Sequence, residues 1–350
     1  MIDDRPAEAH GADDAMARRS EAEEPPLNVT DLRVTVRSGS TETRILRGVS
    51  FAVLRGQMLA LIGESGAGKS TCARAIMGLL PPGSKTEGSV RVGGRELVGL
   101  SERNMSHVRG RDVAMVFQDP QRSLNPTKRV GAQIVEALRI HLDLSRESAR
   151  EHALELMSVV RLPSPRARFG DYPHQLSGGM RQRVMIAMAL ACDPKVLIAD
   201  EATSALDVTT QAQIMDLITE CQERYGLAVL LVSHDLGLAA EYADAVAVMY
   251  AGAIVESASV GSLFSSVQMP FTHALLDAIP SLEDPAHVLI PVRGGTAPDL
   301  ANMPTGCPFW PRCPVAEDKC RAVAPPLEEV REGHRVACWR PGDWPEELER

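Results

Sequence analysis

At 350 residues, with 44% hydrophobic and 24% charged side chains, the chain has the material for a sizeable globular core. Its net charge of −9 weighs against broad binding to nucleic acid, which asks for a basic face. No apolar run approaches the ~18 residues needed to cross a bilayer, and the acidic N-terminus lacks the apolar stretch of a signal peptide. The chain is therefore expected in the cytoplasm, with any membrane role exercised through partner subunits.

Residues 1–26 are charged, end in prolines and show no periodicity, which predicts a disordered segment. Residues 27–265 alternate between strand-like and helix-like stretches. Segments 59–62, 196–199 and 228–232 read as short buried strands. Segments 71–80, 134–142, 149–160 and 211–222 read as helices. That alternation predicts an α/β fold with a largely parallel core sheet. Composition shifts near Gln268, and residues 266–345 are rich in Pro, Gly and Cys. They are expected to form a small separate module, joined to the main body by a short helix over 271–279.

Gly63-Glu64-Ser65-Gly66-Ala67-Gly68-Lys69-Ser70 fits the phosphate-loop pattern G-x-x-x-x-G-K-[ST]. Glycines let backbone N–H groups close on phosphates, and the helix that follows adds partial positive charge. Lys69 would meet the β- and γ-phosphates, Ser70 would ligate Mg²⁺, and Thr71 opens the helix beneath them. A glycine-rich turn can match by chance, but a strand before it and a helix after it favour nucleotide binding.

Val196-Leu197-Ile198-Ala199-Asp200-Glu201 is an apolar strand ending in two acids, where an open α/β sheet places ligand groups. Asp200 is expected to hold Mg²⁺, directly or through water. Glu201 is placed to polarise an attacking water. Alone this pattern is weak, because many buried strands end in a solvated acid. Leu176-Ser177-Gly178-Gly179-Met180-Arg181-Gln182-Arg183 reads as a serine opening a helix, hence a second anion site.

Together, in this order, these motifs resemble the ATP-binding cassette family. The resemblance implies a cassette ATPase fold: a parallel core sheet, an antiparallel β subdomain and a helical signature subdomain. It implies that Ser177, Gly178 and Gly179 face the γ-phosphate of ATP held by a second ATPase subunit. Gln118, in Val116-Phe117-Gln118-Asp119-Pro120, matches the glutamine that senses Mg²⁺ and water. Ser204 and Asp207, in Ser204-Ala205-Leu206-Asp207, match the loop that crosses the dimer interface. His234 matches the switch histidine at the γ-phosphate. The family's adenine-stacking aromatic is missing from Val34-Thr35-Val36-Arg37, so Val36 is expected to pack on the base, or Arg37 to lie over it. Ala202 stands where proline commonly follows the acid pair, with the acids intact.

The stretch from Phe117 through Ser123-Leu124-Asn125-Pro126 resembles the oligopeptide and dipeptide importer ATPases. So do Ala205-Leu206-Asp207-Val208-Thr209, the tail segment Pro270-Phe271-Thr272 to Ile279-Pro280-Ser281-Leu282, and Gly306-Cys307-Pro308-Phe309-Trp310-Pro311-Arg312-Cys313-Pro314. That branch also includes transporters of nickel, opines and glutathione. The resemblance implies two membrane permease subunits, a substrate-binding protein, and a second ATPase that is a paralogue. It places this chain at the cytoplasmic face of the inner membrane. Soluble cassette ATPases of translation carry two cassettes per chain, and those of DNA repair carry a long coiled coil; neither feature is present.

Cys307, Cys313, Cys320 and Cys338 cluster near the end, which in a reducing compartment suggests a metal before disulfides. Four thiolates suit structural zinc or an iron–sulfur cluster. No C-x-x-C knuckle is present, which favours the cluster. The importer resemblance points to [4Fe-4S], with zinc or no metal as alternatives.

Overall fold

The computed structural model describes residues 24–343, leaving out 40, 205 and 279–297. Most of the expected disordered segment 1–26, the tail stretch Ile279 to Leu282, residues 344–345 and Ala205 therefore lie outside the described residues.

Twelve strands among the described residues form two sheets: β1 (Leu27–Ser38), β2 (Thr41–Val53), β3 (Met58–Ile62), β4 (Lys85–Val92), β5 (Arg95–Glu96), β6 (Val113–Val116), β7 (Val196–Asp200), β8 (Ala228–Val232), β9 (Ala245–Tyr250), β10 (Ala253–Ser259), β11 (Glu328–Arg331) and β12 (His334–Val336). The smaller sheet, in the order β2-β1-β4-β5, is antiparallel. The larger runs β11-β12-β10-β9-β3-β8-β7-β6. Within it β9, β3, β8, β7 and β6 are mutually parallel, as the alternating pattern predicted. Strands β3, β6, β7 and β8 are buried along their whole length. Continuous apolar runs are what a parallel sheet covered on both faces demands.

Helices Val130–His141, Arg146–Val159 and Gly178–Leu190 pack on one another through Ile134, Leu138, Ala153, Leu156 and Val184, all essentially sealed from solvent. Their starts carry sequence-local signals. Ser145 and Ser177 cap two of them by accepting from Ser148 N and Met180 N. The helix after the phosphate loop spans Lys69–Ile76, shorter than expected from the sequence, because Gly78 turns the chain at φ +61.

The tail does not stand apart from this body. Strand β12 adds to β10 through Glu256↔Val336 and Ser257↔Arg335. Behind them a fully buried pair joins the two strands, His334 Nε2 to Glu256 Oε1 at 2.8 Å. Glu256 also accepts from the backbone N–H groups of Gln268 and Met269, so its carboxylate is not left unpaired. Phe309 from the tail and Phe271 from helix Pro270–Asp277 pack against Tyr250 of β9, with ring centroids 4.4–5.5 Å apart. Burying each phenyl ring contributes about 1.5–3 kcal/mol. The tail thus has apolar groups to bury, and buries them on the core of the larger sheet.

Candidate active site

The phosphate loop leaves the carboxyl end of β3, which lies between β9 and β8. A side chain at Gly63 would overlap the Met249 carbonyl oxygen, and one at Gly68 would lie 2.9 Å from Leu46 Cδ2. The loop is therefore closed against the β9 backbone, where glycine is required for fit at Gly63, while at Gly68 it is the φ of +104 that favours glycine. Lys69 is 5% exposed. Its ammonium donates to the carbonyls of Gly63 at 2.7 Å and Glu64 at 3.1 Å, folding back across the loop. Burial lowers the Lys69 pKa, and the carboxylates of Glu201, Asp200 and Glu64 partly offset that. A triphosphate would add further negative charge beside this buried ammonium.

Strand β7 delivers its two acids beside the loop. Ser70 Oγ donates to Asp200 Oδ1 over 2.9 Å, bringing together the two expected Mg²⁺ ligands. Burial, set against the Ser70 hydrogen bond, raises the Asp200 pKa. Glu201 takes φ +47, a left-handed conformation that a non-glycine residue adopts at a cost of roughly 1–2 kcal/mol. Its N–H is held by the Val232 carbonyl at 2.9 Å. That turn aims the carboxylate at two neighbours. Gln118 Nε2 donates to Glu201 Oε2 at 2.6 Å, and His234 Nδ1 lies 3.4 Å from Glu201 Oε1. Ser204 Oγ donates to the Glu201 carbonyl at 3.1 Å and accepts from Gln118 at 3.4 Å. The ends of β3, β6, β7 and β8 thus bring Lys69, Ser70, Gln118, Asp200, Glu201, Ser204 and His234 into one site. Carboxylate, carboxamide and imidazole arranged about a phosphate loop can bind Mg²⁺ and orient water.

The signature serine opens a helix of its own. Ser177 caps helix Gly178–Leu190, and a side chain at Gly179 would lie 2.7 Å from Thr210 Cγ2. Thr210 in turn donates twice to Asp207, the cap of helix Val208–Tyr225. Ser177 and Asp207 therefore cap neighbouring helix starts. Val36 is half-buried on β1, opposite Thr43.

The four tail cysteines are unpaired thiols around one apolar cluster. Burial raises the Cys307 pKa and pushes Cys313 up to about 11 and Cys338 up to about 12. Among the described residues, however, no group of three or more His, Cys, Asp or Glu side chains is placed to hold a metal ion. As arranged here the four thiols do not fit the expected iron–sulfur cluster or zinc.

One residue of this region was missed from the sequence. Arg312 pairs in bidentate fashion with Glu64 of the phosphate loop, at 2.8 and 2.7 Å. Nothing in the local pattern around position 312 signals a partner 248 positions away.

A family model described as ABC transporter matches residues 46–204, and one described as the C-terminal region of oligopeptide/dipeptide transporters matches residues 255–320. The "Probable peptide ABC transporter ATP-binding protein y4tR" of Sinorhizobium fredii is 49% identical over 316 residues, covering 90% of this chain and 94% of that protein. The chain belongs to the ATP-hydrolysing subunits of ABC transporters. This ABC ATPase is also 46% identical to the oligopeptide transport ATP-binding protein OppD of Mycobacterium bovis, over 90% of its own length, and spans about half of that longer protein, 52%. Among solved structures it resembles the ATP-binding cassette MJ0796, a dimer in a post-hydrolysis state bound to ADP and Pi. The TM-score is 0.60 at 28% identity, covering 67% of this chain and 98% of that one. No helix among the described residues is long and apolar enough to cross a membrane.

Proposed function

We propose that this ABC ATPase binds MgATP at residues 63–71 and energises the import of di- or oligopeptides. The observation that carries the ATP site is the meeting of Ser70 with Asp200 beside the Gln118–Glu201–His234 group. Lys69 and the loop N–H groups hold the β- and γ-phosphates, while Ser70, Asp200 and Gln118 serve Mg²⁺. Glu201 polarises the attacking water, and His234 orients the γ-phosphate. Charge neutralisation and positioning then do most of the work of phosphoryl transfer. Val36 packs on the adenine, or Arg37 lies over it. Residues 27–265 act as the nucleotide-binding domain, and residues 266–345 as an extension whose described part docks upon it.

Ser177, Gly178 and Gly179 face the ATP of a second ATPase subunit, and the loop that carries Ser204 and Asp207 crosses the interface with it. The opening of helix Gly178–Leu190 at Ser177 supports this, as does the dimeric state of the similar cassette MJ0796. Two permeases complete the assembly at the cytoplasmic face of the membrane, served by a substrate-binding protein. The peptide cargo is supported by the C-terminal match over 255–320 and by the names of the relatives. Purifying the chain with its co-assembled permeases and measuring ATPase activity in proteoliposomes tests the cargo. Stimulation by peptide-loaded binding protein is expected. Stimulation by nickel, an opine or glutathione instead would reassign the substrate.

An iron–sulfur cluster at Cys307, Cys313, Cys320 and Cys338, or zinc as the alternative, would require these four free thiols to converge from their present positions around one apolar cluster. Anaerobic purification with iron, sulfide and zinc analysis decides it. Iron and sulfide lost on serine substitution of any one cysteine would support the cluster. A metal-free chain would retire it.

A further inference from the structure

Glu64 is the second residue of the phosphate loop, and its backbone already closes the loop: its carbonyl accepts from Ala67 N and from Lys69 Nζ, both at 3.1 Å. Its side chain points away from that hydrogen bonding, into Arg312. The Arg312 side chain is 5% exposed. Two parallel hydrogen bonds join the guanidinium to the carboxylate, a fork geometry that fixes orientation as well as charge. The guanidinium also lies over the rings of Tyr250 and Phe309, at 5.8 and 5.5 Å, and donates to the Tyr250 hydroxyl at 3.4 Å. Its backbone is fixed by a tight turn: Trp310 N donates to the Cys307 carbonyl, Arg312 N to Phe309 and Cys313 N to Trp310, at 2.9–3.3 Å. The cysteine-rich segment therefore ends on the nucleotide loop.

A carboxylate in a loop that must grip a triphosphate is a liability, because like charges in a partly buried site repel strongly. We propose that Arg312 is a positioning residue for ATP binding, which neutralises Glu64, draws its carboxylate back from the phosphates and locks the loop in its receptive shape. It touches no nucleotide and acts through Glu64 alone. The order of the turn from Cys307 to Cys313 is thereby read directly at the phosphate loop. This inference rests on the reading of residues 63–71 as the ATP site.

The test is a double-mutant cycle on the full-length chain, reading MgATP affinity by equilibrium titration and ATPase activity in the assembled complex. Arg312→Ala should weaken MgATP binding about tenfold or more, the scale of one charge-assisted hydrogen bond. KM should rise while kcat at saturating ATP stays near wild type. In a Glu64→Gln background the same substitution should cost much less, since no uncompensated carboxylate remains. A merely structural arginine would impose the same penalty in both backgrounds, and that result would overturn the proposal, as would unchanged affinity in Arg312→Ala. Arg312→Lys keeps the charge without the fork and should fall between wild type and alanine; run through the same cycle, it decides the matter should the alanine variant not fold. Lys69→Ala separates the two readings. If it leaves MgATP affinity untouched, the ATP-site assignment falls. If it abolishes binding while Arg312→Ala does not weaken it, only the role of Arg312 falls.

Discussion

The Gln118 carboxamide donates to the Glu201 carboxylate over 2.6 Å, joining the loops after β6 and β7 across 83 positions of sequence. On the proposed reading of this site, a γ-phosphate with its Mg²⁺ and water would meet a glutamine and an acid that are partnered with each other, which would link nucleotide entry to Gln118.

Glu201→Gln keeps the shape of the side chain and removes its capacity to take a proton. Turnover in the assembled complex should fall by ~10²-fold or more, with ATP binding retained. Near-normal steady-state hydrolysis would rule out Glu201 as the base.

Ser177→Arg should block nucleotide-driven pairing of two ATPase subunits while this chain's own loop still binds ATP. Because Ser177 also caps helix Gly178–Leu190, Ser177→Ala is the control. It removes the cap, worth about 1 kcal/mol, without adding bulk. Light scattering with ATP and the Glu201→Gln background would read the outcome, and dimers of undiminished stability in the arginine variant would refute the assignment.

Gly63→Ala forces a methyl group into the Met249 carbonyl oxygen. The loop or β9 must shift, at about 1–3 kcal/mol of strain, and ATP affinity should drop with the melting temperature. Gly66 also has positive φ, yet a side chain there meets no atom within 4 Å. Gly66→Ala should therefore cost only its backbone strain, roughly 1–2 kcal/mol. Equal losses for the two variants in thermal melts would contradict the packing argument.

Asp200 carries a pH signature. Burial raises its folded-state pKa above the ordinary 3.8, so the folded chain holds this proton more tightly than the unfolded chain. Stability contributed by that proton is present below 3.8 and is lost as pH rises through the raised folded value. Asp200→Asn should flatten this part of the stability profile and raise the melting temperature of the nucleotide-free protein at neutral pH. The same change should abolish stabilisation by Mg²⁺ on top of ATP. Melting curves across pH, with and without Mg²⁺, check both; a variant less stable than wild type at neutral pH would show that the charge is not what strains the site.

The site was legible in the sequence wherever its chemistry sits on consecutive residues. Lys69 and Ser70 follow their glycines directly, Asp200 and Glu201 end one strand, and Ser177 announces its helix by capping it. Parts assembled across the fold were not legible. Strand β1 is 12 residues long, but register shifts at Val29/Leu32, Leu32/Arg33 and Val34/Thr35 break its alternation, so no regular period marks it in the sequence. Strand β11 is exposed at all four positions and carries no pattern that separates it from a polar loop. Arg312 meets Glu64 from the turn that seats Phe309 beside Tyr250, and that seating cannot be read from the residues flanking position 312.

The pairing of β12 with β10 also has a bearing on handling the protein. Without the residues beyond 265, β10 would become a bare sheet margin of sequence Ala253-Ile254-Val255-Glu256-Ser257-Ala258-Ser259. Its open N–H and C=O groups would offer a template to any other extended chain. Glu256 would meanwhile lose the imidazole of His334 and the two backbone N–H donors that now satisfy it. A cassette shortened to its motifs would keep every residue named for phosphate chemistry and still tend to stick to itself. The tail is thus a guard against aggregation, built from the strand that seals the sheet.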